Sequence, residues 1–522
     1  MNRGCLALPV RWRPSAGAGA RHPREGATEP GDLVGHRTTV GRVNSPDDSG
    51  SNDDAAVMRQ LGRLMHRLMA IPDDREPELT SLGVRVAAHL GVDPSGLPIT
   101  SETIRPHRLV DADLAIDEIA SADQDAETLG VAGMNRLHDD FAGMLRSAHT
   151  NYSLGGPVEF TSAATGPDTT RQTVSFALRL LRMNGAPLAV LQRGPAPQYG
   201  REAGSLEIVA VDTTTAASFV AEMRRLMTER SVVRGNVVTF TRDEYGNSLG
   251  RLTFVPRPHV PADALILPDG VRERIHTHVV GISRRGAQLA AHGQHLKRGV
   301  LLYGPPGTGK TLTVRHLLSE APEATVVLLQ GGALGLVGEA TRLARTMTPA
   351  IVVLEDVDLV AASRDAYGIQ PLLFEVLDAL DGLDGDADVA FILTTNRADA
   401  LEPALAARPG RVDLAVEIPL PDAAARRRLF RLYAEALPLS PEVVDACADR
   451  AEGSTASFAK ELMRRAVLRA TLDERSVTDD DLVRALDDLL TSTTGISRVL
   501  FGGSEAADLD DAEGSVGFGA HY

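Results

Sequence analysis

The spacing of apolar residues changes character along the chain, and each change predicts a different kind of element. Val57, Leu61, Leu64, Met65 and Leu68 recur at helical intervals, which predicts an amphipathic helix whose stripe serves as core or as the face for a partner helix. EIASADQDAETLG and NRLHDDFAGMLRSAH predict further helices before residue 150. Beyond that point the runs shorten. RQTVSFALRLLRMNGAPLAVLQRG consists of two apolar stretches joined at Asn184-Gly185, a strong hairpin signal. SLEIVAVD predicts another strand, TTAASFVAEMRRLMTER a helix, and NVVTFTR and RLTFVPRP a pair of strands around EYGNSLG. Residues 55–255 therefore predict an α+β region. Its histidines are scattered and HExxH is absent, so the pattern points to a structural role or to binding of a substrate or partner.

Outside the periodic segments the composition takes over. Residues 1–54 are rich in Pro, Gly, Ser, Arg and Asp with little periodicity, and predict a disordered extension. Residues 496–522 include an acidic, Gly-rich stretch, GGSEAADLDDAEGSVGFGAHY, and predict a disordered tail. A length of 522 residues and 43% hydrophobic content allow about three domains with sizeable cores. The net charge of -16 argues against a general nucleic-acid binder. No apolar run approaches the roughly 18 residues of a membrane span, so no membrane anchor is expected. The basic N-terminal segment is interrupted by Pro9, Arg11 and Arg13, unlike a secretory signal. Cys5 and Cys447 are too few and too distant in sequence for a disulfide framework, which fits a cytoplasmic protein. Lysine occurs only at 297, 310 and 460, so each one is informative.

Lys310 lies in the most specific pattern of the chain. An apolar run, Val300–Tyr303, leads into Gly304, Pro305, Pro306, Gly307, Thr308, Gly309, Lys310 and Thr311, and a helical pattern follows. This is GxxxxGK[ST] in the strand–loop–helix setting that the motif requires. Glycines let the backbone turn its amides around phosphates, and the following helix adds its positive N-terminal end. Lys310 then reaches the β- and γ-phosphates of ATP, while Thr311 supplies a hydroxyl to Mg²⁺. The fold class expected is a P-loop α/β core, a parallel sheet with helices on both faces, preceded by the α+β region.

A second buried run, IVVLE, ends in Glu355, Asp356 and Asp358. P-loop ATPases deliver an acid to the Mg²⁺ shell from such a strand. Here the longer carboxylate comes first. Glu355 is assigned to the metal and Asp356 to the attacking water, although the pattern leaves open which of the two orients the water. DVAFILTTN gives a third apolar strand, whose Asn396 can reach the γ-phosphate and the water. Arg408 and Arg411 flank Pro409-Gly410 at a turn from which a permanent charge can be delivered. Composition alone would make them two surface arginines in an arginine-rich chain.

Together these segments resemble the AAA family of ring-forming ATPases. The resemblance covers about residues 260–490 and is carried by GPPGTGKT, IVVLEDVD, DGLDGD, TTN and ARPGRVD, in the family's order. It implies an ATPase core at 256–421 and a helical lid at 422–495, where AAARRRLFRLYAEAL and STASFAKELMRRAVLRATL resemble the lid helices. It also implies that Arg408 and Arg411 act in trans on a neighbour's ATP, hence a homo-oligomeric ring, usually a hexamer. Asp381-Gly382-Leu383 resembles the intersubunit segment, with Leu383 where an aromatic is more usual. Thr455-Ala-Ser-Phe458 stands where the family has an SGAD-like contact to nucleotide, and Leu336-Val337-Gly338 where protein-threading members have an aromatic pore loop. The Glu355-Asp356 order is similar to that of mitochondrial AAA ATPases that assist respiratory-complex assembly, and the whole pattern to bacterial AAA proteins.

The function expected is ATP hydrolysis coupled to remodelling or unfolding of protein clients. A nucleotide-gated scaffold with little turnover is the alternative, because the shorter Asp356 places water less well. A DNA-dependent motor is disfavoured by the acidic balance.

Overall fold

The computed structural model describes residues 57–58, 60–65, 78–241, 251–358, 387–397 and 412–491. The extension at 1–54, the tail at 496–522, Asp381-Gly382-Leu383, Arg408 and Arg411 lie outside the described residues. The chain divides after Asp74 into two units. In the first, residues 57–58 and 60–65 are helical, as their spacing predicts. Val57, Leu61, Leu64 and Met65 of the apolar stripe are all exposed.

The second unit contains two large sheets. The first has six antiparallel strands: β1 (Ile99–Ile104), β2 (Glu127–Leu129), β3 (Glu159–Ala164), β4 (Thr170–Met183), β5 (Ala186–Arg193) and β6 (Gly204–Ala210). Their order is β1-β6-β5-β4-β2, with β3 also paired to β4. The predicted hairpin is present. Met183 pairs with Ala186, and Asn184 (φ 52°) and Gly185 (φ 85°) both take the left-handed conformation that a two-residue turn needs. Helices α1 (Ser81–Leu90), α2 (Leu109–Ser121) and α3 (Thr213–Glu229) cover the sheet. Ile116 and Phe219 of α2 and α3 pack with Leu181, Val190 and Ile208. Leu82 and Val86 of α1 pack on the other face with Phe176, Leu178 and Leu191.

Two predicted helices are shorter than their sequences suggest. EIASADQDAETLG is helical only through Ser121 and then becomes strand β2. NRLHDDFAGMLRSAH is helical only over Phe141–Leu145. Aspartates mark one limit of each: Asp123, just beyond α2, accepts from Asp125 N, and Asp140 caps the start of the Phe141–Leu145 helix by accepting from Gly143 N.

The second sheet is built from β7 (Val237–Thr241), β8 (Arg251–Val255), β9 (Arg298–Tyr303), β10 (Thr325–Gln330), β11 (Ala350–Glu355), β12 (Val389–Thr395) and β13 (Leu414–Glu417). The order is β8-β7-β10-β11-β12-β9-β13, and every pair is parallel except β7 with β8. Both faces are buried, which is why the strands read as continuous apolar runs. Val352 and Leu354 face helix α5 (Val337–Thr346), and Ile351 and Val353 face helix α4 (Lys310–Glu320). Strands β7 and β8 fall within 55–255 and were grouped by sequence with the α+β region, yet they extend the P-loop sheet. Val237, Val238 and Thr239 pair in parallel with Val326, Val327 and Leu328. An apolar run buried on both faces carries no mark of which sheet it joins. Helices α6 (Ala423–Ala434), α7 (Pro441–Arg450), α8 (Ala456–Leu472) and α9 (Asp479–Thr491) follow, packed around Phe430, Phe458, Leu462 and Leu486.

Candidate active site

The loop from β9 to α4 can take its path only with glycine at two points. A Cβ on Gly304 (φ 143°) would lie 2.2 Å from the Ile418 carbonyl oxygen. One on Gly307 (φ 78°) would lie 3.0 Å from both the Ser457 and the Thr455 hydroxyl oxygens. Lys310, the first residue of α4, is buried, and its Nζ donates to the Gly304 and Pro305 carbonyl oxygens at 2.8 Å each. Burial lowers its pKa, while the charges of Asp356 and Asp358 oppose that shift. Thr308 Oγ1 donates to Pro305 O at 3.0 Å, and Thr311 is half-buried one residue beyond Lys310.

The acids come from the carboxyl ends of β11 and β12, which the parallel ladder sets side by side. Asp356 has a left-handed backbone (φ 51°), and its amide donates to Thr394 Oγ1 at 3.0 Å. Val357 N donates to Thr394 O at 3.0 Å. Asn396 Nδ2 lies 3.4 Å from Asp356 Oδ1. Asp358 is buried and its Oδ1 accepts from Thr395 Oγ1 at 3.0 Å and from the Asn396 amide at 3.1 Å. It therefore fixes the end of β12 and the direction in which Asn396 leaves it.

Glu355 has different surroundings. It pairs across the ladder with Gln330 of β10, and its carboxylate accepts from the Gln330 amide. Burial raises its pKa, and the nearby Asp356 adds to the rise, while Arg315 and Gln330 oppose it. The structure thus gathers Lys310, Asp356, Asp358 and Asn396, and turns Glu355 toward the neighbouring strand. Sequence reasoning left Asp358 and Gln330 without roles. For Asp358 a signal existed: it lies two residues after Asp356, in the same acidic cluster.

Two further parts complete the site. A cavity of about 330 Å³ opens beside Thr308, walled by Leu267, Pro268, Ile418 and, from α6, Leu429. The C-terminal helices also reach the loop directly. Thr455 caps α8 by accepting from Phe458 N at 3.2 Å, and Ser457 N donates to Gly307 O at 3.2 Å. The Thr455–Phe458 segment thus touches the phosphate loop through the Ser457 amide. At Leu336-Val337-Gly338 the picture differs: Val337 is buried in the core, and Leu336 packs against that core partly buried.

Among the described residues no group of three or more His, Cys, Asp or Glu is placed to hold a metal by itself. A Mg²⁺ ion carried with a nucleotide takes only one or two protein oxygens and fills its shell with phosphate and water. Thr311 behind Lys310, with the acids at the end of β11, fits that donor set.

Comparison with known proteins agrees with this geometry. Residues 300–420 match the family described as ATPase family associated with various cellular activities (AAA). The chain is 36% identical over 207 residues to a proteasome-activating nucleotidase of Methanopyrus kandleri, covering 36% of this chain and 47% of that protein. It is 36% identical over 242 residues to the ATP-dependent zinc metalloprotease FtsH 2 of Sphaerobacter thermophilus, covering 44% and 37%. It is 40% identical over 161 residues to a 26S proteasome regulatory subunit 4 homolog of Oryza sativa subsp. japonica, covering 28% and 36%. The chain spans less than half the length of these three relatives.

Proposed function

From the premise that the chain carries an AAA ATPase domain, we propose that it hydrolyses ATP within a homo-oligomeric ring and uses the cycle to remodel protein clients. The observation that carries this reading is the convergence of buried Lys310 with Asp356, Asp358 and Asn396 across two adjacent strand ends. Mg²⁺, when bound with the nucleotide, supplies positive charge that draws electron density from the β- and γ-phosphate oxygens. Lys310 places a second positive charge beside them. The glycine-rich turn directs backbone amides at the phosphates, and the apolar wall of Leu267, Ile418 and Leu429 gives the base a dry surface. Asp356, with the Asn396 amide next to its carboxylate, is suited to orient water on the γ-phosphate side. Asp358 is a positioning residue that holds Asn396. Thr311 and Glu355 are the oxygen donors assigned to the metal in this reading, with Glu355 exchanging its Gln330 contact for the ion. The relatives named for proteasome activation and ATP-dependent proteolysis support a protein substrate.

Arg408 and Arg411 supply the neighbour's share of the charge in this reading, a contribution of about 10³-fold or more in such reactions. Hydrolysis then depends on assembly. Steady-state phosphate release tests both claims, with Lys310→Ala expected to lower it by ~10²–10³-fold. Turnover per chain should fall as the protein is diluted below its assembly range. Release equal to that of Lys310→Ala, measured in an assembled ring, would favour the scaffold reading. The short Asp356 side chain on a left-handed backbone, 3.4 Å from the Asn396 amide, is the feature that keeps that reading in play.

A further inference from the structure

A second concave site lies away from the phosphate loop, where the α+β region meets α5. The cavity is about 470 Å³ and is walled by three elements. Arg105, His107 and Arg108 come from the turn between β1 and α2, Arg224 and Met227 from α3, and Arg342 and Arg345 from α5. Five guanidiniums thus line one cleft. Among the described residues three carboxylates stand against them: Glu339, shared by Arg105 and Arg342; Asp111, behind Arg108; and Glu102, paired with Arg224. Arginine supplies most of the charged groups in the lining. His107 adds none near neutral pH, because its burial and the two neighbouring arginines hold it uncharged.

We propose that this cleft is a binding site for a small phosphate-bearing anion of two or more negative charges. Guanidinium forks bind phosphate oxygens in pairs, and they keep their charge at any physiological pH. The volume suits a ligand between pyrophosphate and a nucleotide in size. The arrangement is also one that a multiply charged anion completes: Arg224 of α3 and Arg342 of α5 are largely exposed, each held by one carboxylate and able to turn to a second acceptor. A bound anion would tie α3 to α5, the helix that directly follows the Gly331–Leu336 turn. The concave walls favour a compact solute over an extended polymer.

The test uses the full chain carrying Lys310→Ala, so that the phosphate loop contributes little and the outcome does not depend on ATP turnover. Titration calorimetry with inorganic pyrophosphate, and separately with ADP, should show a saturable site. Adding Arg224→Glu and Arg342→Glu should weaken it by at least ~10-fold. The neutral pair Arg224→Gln and Arg342→Gln should give an intermediate loss, which separates lost charge from misfolding. Pyrophosphate and ADP binding with equal affinity would assign recognition to the phosphates alone, while tighter ADP binding would assign a nucleoside to the remaining volume. Either result supports a phosphate site. Undiminished binding in the charge-reversed protein would overturn it, as would tighter binding of hexaglutamate than of pyrophosphate.

Discussion

In the antiparallel sheet, Arg179 is only 4% exposed, and its guanidinium is fully engaged by Asp113, Asp117 and the Gln192 side-chain carbonyl. Beside the parallel sheet, at the start of α4, Lys310 is only 6% exposed, yet it makes no ion pair among the described residues and donates to two loop carbonyls. The burial is alike and the partnering is not. Arg193 is also held by its neighbours, though not at Nε: it pairs with Glu207, whose second oxygen accepts from Phe141 N at 2.6 Å, and donates to Asp139 O at 2.8 Å. A buried charge whose bonds are taken up by its own neighbours holds a fold together. One left facing carboxylates and backbone carbonyls, at the ends of parallel strands, is placed to exchange those contacts for a ligand. Burial alone does not distinguish structure from chemistry; partnering does.

The largest expected effect lies on the structural side. Arg179→Ala leaves Asp113 buried without its counter-ion, and burial already raises the pKa of that carboxyl. The change should destabilise the unit by about 3–5 kcal/mol in denaturant unfolding, with phosphate release per folded chain unchanged. A matching loss of turnover would erase the distinction between the two sheets.

Next comes the acid pair. Asp356→Asn should lower turnover by ~10²–10³-fold while ATP affinity is retained, because in the proposed reading it removes the carboxylate that orients the water and no group that binds the phosphates. Glu355→Gln, turned toward Gln330, should cost less turnover and more of the Mg²⁺ dependence. The opposite ranking would hand the water to Glu355.

The smallest effect concerns the junction between the two sheets. His107 packs edge-on against Phe240 of β7 at 5.7 Å, and burial pushes its pKa down to about 4. Glu339 opposes the shift and Arg105 and Arg108 assist it. The unfolded chain takes up this proton near pH 6.5, so the stability from a neutral His107 is full above that pH. It is lost as pH falls from 6.5 to 4, by on the order of 2–3 kcal/mol. Thermal melts of the wild type should show this slope and His107→Gln should flatten it. Parallel slopes would mean that other groups carry the acid sensitivity.

Much of the site was legible because its chemistry is local. The phosphate loop needs glycines at fixed offsets, and each buried strand announces its end by an abrupt change, to Gly-Pro at Gly304 and to polar residues at Glu355 and Asn396. Asp358 was visible in the same cluster, but its task was not, since its partners lie on another strand 37 and 38 residues away. The contact from Ser457 to Gly307 was hidden for the same reason.

The amino-acid order alone determined the P-loop, the order of the acid-bearing and amide-bearing strands, and the Asn184-Gly185 hairpin, because each rests on backbone geometry and period within a short window. Tertiary structure alone decided that β7 and β8 extend the P-loop sheet, that Glu355 faces Gln330 while Asp356 and Asp358 act on Lys310, and that five arginines from three separate elements share one cleft. Those outcomes depend on which buried surfaces meet. Apolar burial is non-directional, so a sequence can require it without naming the neighbour.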